Sequence, residues 1–314
     1  MKICLAGEGA FGNKHLDALA GIEDVEVVSL VGGVAEETRR VADERGIPHW
    51  SLDLKDGLSQ PGVEAVILAT PTPLHASQAM DALRLGKHVL VEIPMADNLE
   101  DAEALVALQR ETGLVAMAGH VRRFNPSHQW INERIAGGEL SIQQLNVQTY
   151  FFRRSNLNAL GEPRSWTDHL LWHHACHTVD LFMYQTGEEI SECYAAQGPM
   201  DEELGITMDM AIVMKSTSGA ICNLSLSFNN DGPLGTHFRY ICDAGTYVAR
   251  YDDLYDGNDN RVDVSGVDVS MNGIELIDRE FLAAIKYGRE PNGSVSQCLP
   301  AMRVLERIQR QLIS

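Results

Sequence analysis

Four histidines stand within the stretch 169–177, and two of them have a spacing that suits catalysis. His173 and His177 are four residues apart, so on an α-helix they would lie on the same face. An imidazole with a pKa of about 6.5 can accept a hydroxyl proton while a hydride leaves the adjacent carbon. The pair, with Asp168 nearby to orient it, is therefore a candidate for general acid–base chemistry.

Two other interpretations of the histidines stay open. His173, His174 and His177 could bind a metal, but they offer only an H-x-x-H and no obvious carboxylate or thiolate set. They could also be buried structural residues, which fits His174 better than His177. We predict no metal at this site.

Arginines are concentrated around the same stretch, although the whole chain has a formal charge of −19. A guanidinium stays charged and matches a carboxylate with two parallel hydrogen bonds, so clustered arginines indicate an anionic substrate. Some of them could instead be structural or helix-surface charges. The candidate substrate-binding residues are Arg122, Arg123, Arg153, Arg154, Arg164 and Trp166.

Length and composition limit the class of protein. A chain of 314 residues favours two domains. The acidic charge argues against nucleic acids or anionic membranes as partners. The six cysteines are scattered, as in a reduced protein, and neither a signal peptide nor an apolar run of about 20 residues is present. We therefore expect a soluble cytoplasmic protein.

The chain begins with a strand that runs directly into a glycine-rich turn, G-x-G-x-x-G. Gly7 permits the tight turn, Gly9 lets a pyrophosphate approach the backbone, and Gly12 allows close helix packing. The helix that follows offers free N–H groups and the positive end of its dipole. This turn, with Ala10 and Phe11, predicts a dinucleotide-binding site.

Strands and helices alternate over the first 120 residues, which predicts a doubly wound parallel sheet, the Rossmann fold. The predicted strands are 25–31, 63–69, 89–91 and 114–118, and the predicted helices are 35–45, 74–85 and 99–112, the last capped by Asp97 and Glu100. Residues 121–314 form the predicted second domain. It has a helix that ends at Gly137, a largely antiparallel open sheet, and closing helices at 274–285 and 295–312.

The choice between NAD and NADP is decided at the end of the second strand, where an acidic residue would bind the ribose of NAD. This chain has Gly32 and Gly33 there, and the nearest cations are Arg39 and Arg40. The absence of a carboxylate leaves room for the 2′-phosphate, so we expect NADP, with NAD as the alternative.

Two further stretches, 69–75 and 86–94, together with the glycine turn, resemble the glucose–fructose oxidoreductase/inositol dehydrogenase/MocA superfamily. The resemblance implies a sheet face that forms a homodimer or larger homo-oligomer, and it makes His177 the base with His173 in a position usually held by Asp. It also implies that Ile93 replaces a lysine that normally polarises the substrate hydroxyl. The implied cofactor loops contain Thr70, Pro71, Thr72, His75, Glu92, Ile93 and Pro94.

Longer strings narrow the resemblance to dehydrogenases of ring-cleavage semialdehydes from aromatic-compound catabolism. The strings are 92–94, 122–128, 148–154, 163–174, 224–236 and 269–276. The implied substrate is a cyclic hemiacetal with two carboxylates, which is oxidised to a lactone. The alternatives are a dehydrogenase of a sugar, an inositol or a sugar acid, and a non-catalytic ligand-sensing regulator of the same fold.

Overall fold

The computed structural model describes residues 1–157, 161, 163–164, 166–265 and 273–313. The chain divides into two compact units, and the first contains Met1–His120 and Ile274–Leu299. The second contains the described residues of Val121–Gly273 and Pro300–Ser314. The stretch 274–299 therefore groups with the first unit, although the sequence analysis placed it in the second. Ser165 and residues 269–272, which belong to the strings quoted above, lie outside the described residues.

The first unit is built on a parallel sheet. Its strands are β1 (Lys2–Ala6), β2 (Glu26–Val31), β3 (His49–Ser51), β4 (Val63–Leu68), β5 (His88–Val91) and β6 (Ala116–Ala118). Its helices are α1 (Ala10–Leu19), α2 (Ala35–Arg45), α3 (Leu54–Leu58), α4 (His75–Arg84), α5 (Leu99–Thr112) and α8 (Ile274–Tyr287). The strand order β3-β2-β1-β4-β5-β6 confirms the predicted doubly wound fold.

The strands are apolar because helices cover both sheet faces. Residues 3–6 of β1 and 65–68 of β4 are completely buried, as expected of parallel strands. The short elements β3 and α3 were not predicted, because three and five residues are too few to show a periodicity. Helix α5 begins where predicted, but its cap is Asn98 rather than Asp97; the Asn98 side chain accepts a hydrogen bond from the Asp101 N–H (2.8 Å).

The second unit contains a mixed sheet in the order β15-β14-β13-β7-β12-β11-β8. Its strands are β7 (Ile142–Tyr150), β8 (Ile190–Gln197), β11 (Asp209–Ser216), β12 (Ile221–Ser227), β13 (Gly235–Cys242), β14 (Gly245–Arg250) and β15 (Asp253–Asp256). The strands β9 (Met200–Asp201) and β10 (Ile206–Thr207) form a separate pair. The helices are α6 (Pro126–Ala136), α7 (Cys176–Thr186) and the part of α9 (Val295–Ile313) from Pro300 onward.

Strand alternation gives this sheet a buried face and an open face. In β7, Leu145, Val147 and Thr149 are buried, as predicted, while Gln144 and the other residues of that register are not. Only the β7–β12 pair is parallel among these strands, so the prediction of a largely antiparallel sheet is confirmed. The homo-oligomer that the resemblance implies stays a prediction.

The six cysteines are buried, and none of them forms a disulfide. Among the described helices, none combines the length and the apolar character of a membrane-spanning helix.

Candidate active site and dinucleotide site

The glycine turn after β1 has the geometry of a phosphate cradle. Gly7 has a φ of +115°, and a Cβ there would lie 2.3 Å from the Ala69 carbonyl oxygen. A Cβ on Gly12 would lie 1.7 Å from the Gly7 oxygen, so both positions require glycine for backbone packing. A Cβ on Gly9, the cap residue of α1, would meet nothing within 4 Å. The open space in front of the N-terminus of α1 therefore fits a pyrophosphate.

The other predicted cofactor loops follow the neighbouring strands β4 and β5. His75 is buried, and its two ring nitrogens lie 2.8 Å from the carbonyl oxygens of Thr70 and Pro94. One side chain therefore joins the loop after β4 to the loop after β5. Since the carboxyl ends of parallel strands meet at one edge of the sheet, the predicted loops converge there.

Helix α1 also positions Glu92, at the end of β5. His15 of α1 is completely buried and lies between two carboxylates, with Nε2 3.0 Å from Glu92 and Nδ1 2.8 Å from Asp278 of α8. Burial alone would lower the pKa of His15, but the two carboxylates raise it to about 10. A charged imidazolium therefore ties α1, α8 and the Glu92 loop together.

The end of β2 contains a carboxylate that the sequence analysis missed. Gly32 and Gly33 follow β2 as predicted, and the Glu8 side chain from the glycine turn reaches them, where its Oε1 accepts the Gly33 N–H (2.9 Å). Arg39, one of the two nearest cations in the sequence analysis, is exposed and lies 3.6 Å from Asp43. Phe11 of the glycine turn is about half exposed.

The histidine stretch of the second unit differs from the regular helix that the sequence analysis assumed. Residues Leu170–Ala175 form a π-helical segment that leads into α7. A π turn bonds residue i to i+5, so four-residue spacing does not by itself place His173 and His177 on one face. Such segments are frequent at functional sites. His173 is buried, and His177 is half-buried in the first turn of α7.

Aromatic rings and a backbone hydrogen bond hold His173. Its ring stacks on Trp166 (centroids 5.4 Å apart, planes at 25°), and its Nδ1 accepts the N–H of His169 at 3.0 Å. In neutral His173 the proton is therefore on Nε2. This nitrogen is a donor rather than a base.

Asp168 is the centre of a partly buried charge cluster. Both of its oxygens accept from the Arg153 guanidinium, Arg164 lies 3.4 Å away, and His174 Nε2 lies 3.0 Å from Oδ2. Burial alone would raise the pKa of Asp168, but His174 and Arg153 hold it far below its usual range. His174 therefore belongs to this cluster. The guanidiniums of Arg153 and Arg164 share the single carboxylate of Asp168.

The remaining predicted arginines are elsewhere in this unit. Arg123 forms a buried pair with Asp180, with two N–O distances of 2.8 and 2.6 Å. Arg122 is buried, with its guanidinium 5.0 Å from the centroid of the Tyr251 ring. Arg154 is exposed, because consecutive residues of an extended chain point to opposite sides and Arg153 points to the Asp168 side. The Arg154 guanidinium donates a hydrogen bond to Asn229.

Family models match both halves of the chain. The model described as the oxidoreductase family with an NAD-binding Rossmann fold matches residues 1–120, and the model of the C-terminal part of bacterial oxidoreductases matches residues 126–268. A 4-carboxy-2-hydroxymuconate-6-semialdehyde dehydrogenase from Sphingobium sp. strain SYK-6 is 62% identical over 99% of both chains. The protein belongs to the Gfo/Idh/MocA oxidoreductase family.

Similarity extends to more distant dehydrogenases. A scyllo-inositol 2-dehydrogenase from Bacillus subtilis is 26% identical over 76% of this chain and 70% of its own length. The structure of UDP-N-acetylglucosamine 3-dehydrogenase from Acidithiobacillus ferrooxidans superimposes with a TM-score of 0.85 at 21% identity, covering 99% of this chain and 97% of that one. The 62% identical dehydrogenase and the NAD-binding family model together make this protein a Gfo/Idh/MocA dehydrogenase with a nicotinamide cofactor.

For this Gfo/Idh/MocA protein, replacing His15 with glutamine is expected to cost about 3–5 kcal/mol at pH 7, because a buried carboxylate pair loses its cation. Since folding raises the pKa of His15 to about 10, its stabilising effect is complete below pH 6.5 and is lost as the pH rises towards 10. The wild-type Tm should therefore fall between pH 7 and 10, and the variant Tm should change less.

Thermal melts at closely spaced pH values would measure this difference. His49→Gln serves as the control, since the His49 side chain is 27% exposed and contacts Ser29 and Asp56 at the edge of the same sheet. Wild-type and His15→Gln curves that run parallel from pH 7 to 10 would contradict the prediction.

Proposed function

We propose that this protein oxidises the cyclic hemiacetal of 4-carboxy-2-hydroxymuconate-6-semialdehyde to 2-pyrone-4,6-dicarboxylate, in the protocatechuate 4,5-cleavage pathway of aromatic degradation. The 62% identity over 99% of both chains to a dehydrogenase of that name carries the proposal. The reaction removes a proton from the hemiacetal hydroxyl and a hydride from the carbon that carries this hydroxyl, so that C–OH becomes the lactone C=O.

The first unit provides the residues that would hold the dinucleotide. The turn 7–12 and the N-terminus of α1 would bind the pyrophosphate of the dinucleotide. The loops after β4 and β5, which His75 joins, would border the rest of the dinucleotide. When bound, the nicotinamide accepts the hydride at C4. The sequence analysis favoured NADP because it found no carboxylate at the end of β2. The Glu8 carboxylate reaches that position in the structure, so this reason for NADP no longer holds.

The charge cluster of the second unit suits a dicarboxylate substrate. Arg153 and Arg164 carry two positive charges against the single negative charge of Asp168. A substrate carboxylate can therefore add to the cluster, or exchange with Asp168 on one guanidinium, without creating an excess of negative charge. Arg153 is the strongest candidate ligand, because its side chain is 15% exposed, against 3% for the paired Arg123, so that a substrate carboxylate can reach its guanidinium.

Proton removal is assigned to His177. Ile93 brings no ionisable group, and the bond from the His169 N–H occupies Nδ1 of His173. His173 then acts as a donor that orients the substrate, with Trp166 stacked on its ring. A hemiacetal hydroxyl is more acidic than a sugar alcohol, so an imidazole base suffices without a lysine at position 93.

Steady-state reduction of NAD and NADP would test the function, with freshly generated semialdehyde compared against myo-inositol, glucose and galactonate. We expect kcat/KM for the semialdehyde to exceed that for any neutral polyol by about 10⁴-fold, since a polyol brings no carboxylate to Arg153 and Arg164. Mass spectrometry should show a product two hydrogens lighter than the hemiacetal.

Two outcomes would overturn the proposal. Equal or better turnover of a polyol would indicate a sugar or inositol dehydrogenase. Tight dinucleotide binding without turnover of any substrate would indicate the ligand-sensing regulator.

A further inference from the structure

His174 is the member of the Asp168 charge cluster whose charge can change. Its Nε2 lies 3.0 Å from Oδ2 of Asp168, the oxygen that also accepts an N–H of Arg153 at 2.7 Å. Arg164 lies 3.4 Å from the other oxygen of Asp168. A guanidinium stays charged, whereas an imidazole gains or loses a proton near neutral pH. The net charge of the cluster therefore depends on the protonation of His174.

The surroundings of the His174 ring hold it beside Asp168 and leave the cluster accessible. The ring packs against Phe151 and Phe228, with ring centroids 5.1 Å apart in both pairs, and neither ring brings a charge. The four charged or titratable side chains of the cluster are 11–22% exposed. Protons from solvent and a carboxylate from outside can therefore both reach the cluster.

Other titratable groups surround the segment 170–175, against which β11, β12 and α7 pack. Four charged side chains of these elements and of the stretch after β7 are bonded to other groups: Asp209, Lys215, Asp180 and Arg154. Burial raises the pKa of the Cys222 thiol of β12 far above its usual range. The groups that remain on the segment, beside it and on α7 are Cys176, Tyr184, His169, His173 and His177. Because His174 is bonded to Asp168, the charge of the cluster acts most directly on His174.

The arrangement of charges couples a proton on His174 to an incoming carboxylate. Two guanidiniums oppose a positive charge on the imidazole, and the single carboxylate of Asp168 favours it. A carboxylate that binds Arg153 or Arg164 would add a negative charge and would take hydrogen bonds from a guanidinium that Asp168 now engages. Asp168 would then bond mainly to His174, and an imidazolium is a stronger partner for a carboxylate than a neutral imidazole is.

We propose that His174 is a positioning residue for the dicarboxylate substrate. It takes up a proton from solvent when a substrate carboxylate binds Arg153 and Arg164, and it then holds Asp168 in place of the guanidinium that the substrate engages. The proton returns to solvent when the product leaves. The inference rests on the proposed function, because it needs an anionic substrate at this cluster. It makes the binding of the substrate dependent on pH, in addition to the removal of the hydroxyl proton by His177.

Isothermal titration calorimetry with 2-pyrone-4,6-dicarboxylate would test the assignment. The purified protein is titrated in the presence of the oxidised dinucleotide, which cannot react with this oxidised product. Titrations at one pH in HEPES and in Tris, two buffers that differ in ionisation enthalpy, give the number of protons taken up. We expect about 0.5–1 proton per dicarboxylate at about pH 8, and an affinity about 10-fold weaker at pH 9 than at pH 7.

His174→Gln separates proton uptake from support of Asp168. The glutamine amide can still donate a hydrogen bond to Asp168 but cannot take up a proton, so the uptake and the pH dependence of binding should largely disappear. Arg164→Gln removes one guanidinium that opposes the imidazolium. His174 should then be protonated before the dicarboxylate binds, and the uptake should fall to about half. His237→Gln, at a histidine of β13 in the same unit, is the matched control and should keep the wild-type uptake.

Several results would overturn the assignment to His174. One is binding of the dicarboxylate by the wild type without proton uptake, and another is wild-type uptake in a folded His174→Gln variant. If circular dichroism shows that His174→Gln does not fold, wild-type uptake in Arg164→Gln would be decisive in the same way. Loss of the uptake in His177→Ala, with uptake retained in His174→Gln, would assign the proton to His177.

The failure of this inference can be told apart from the failure of the proposed function. The results above leave turnover of the semialdehyde untouched, so the proposed function would stand. A protein that turns over the semialdehyde but does not bind the dicarboxylate would overturn the inference alone. A protein that neither binds the dicarboxylate nor turns over the semialdehyde would overturn both.

Discussion

Replacing His177 with alanine is expected to lower kcat by about 10²–10⁴-fold, the usual contribution of a positioned general base. The Asp168 cluster is held by the bonds of Asp168 to Arg153 and His174, which the variant retains. Dinucleotide affinity should therefore be unchanged. Stopped-flow or steady-state cofactor reduction with the semialdehyde would measure the loss, and added imidazole should restore part of the rate.

His237→Ala provides the matched control. This histidine lies on β13 of the same unit, on the strand register opposite the buried Phe238 and Tyr240, so its removal should change kcat less than twofold. Near-normal turnover by His177→Ala would discard the base assignment. Rescue of activity by imidazole in that variant, but not in His173→Ala, would separate the base from the orienting histidine.

Replacing Arg123 with methionine is expected to destabilise the second unit by about 3–5 kcal/mol, the cost of removing one partner of a buried ion pair. The side chains of Arg123 and Asp180 are 3% and 2% exposed, and the guanidinium also lies 4.5 Å from the centroid of the Tyr184 ring. The substitution leaves the Asp180 charge buried without this guanidinium. Urea unfolding followed by circular dichroism would measure the loss.

The double variant Arg123→Met/Asp180→Leu tests the cause. It removes both charges and keeps apolar volume, so most of the lost stability should return. Because Arg123 is committed to Asp180, KM for the semialdehyde should change little in either variant at a temperature where both are folded. A stable Arg123→Met protein with a KM raised 100-fold would instead support the substrate role that the sequence analysis gave this residue.

Elements with a short-range signal were predicted closely. Helix α2 spans 35–45, as predicted, because Gly46 takes the left-handed conformation (φ +66°) that ends a helix. The two faces of β7 followed from alternation alone. The glycine turn was also predicted from its pattern. Gly7 lies close to Ala69 and Gly12 lies close to Gly7, so neither position admits a side chain and the sequence must have glycine at both.

The π-helical segment before α7 could not be predicted. It widens one turn by a single residue, and the apolar pattern of 170–176 is compatible with an ordinary helix. The assumed common face of His173 and His177 depended on that regularity. The proposal that His177 is the base and His173 the donor therefore depends on tertiary contacts, such as the stacking of the His173 ring on Trp166.

The residue types alone established that the chain has a dinucleotide turn, a parallel sheet, an arginine-rich second domain and histidines able to move a proton. These follow from backbone sterics, periodicity and side-chain chemistry, which act over a few residues. The partners of the charged side chains required the folded structure: Asp180 for Arg123, Asp168 for Arg153 and His174, Asp278 for His15, and the end of β2 for Glu8. Coulombic and hydrogen-bond energies depend on distances between atoms far apart in the chain, so the allocation of charges is a property of the fold.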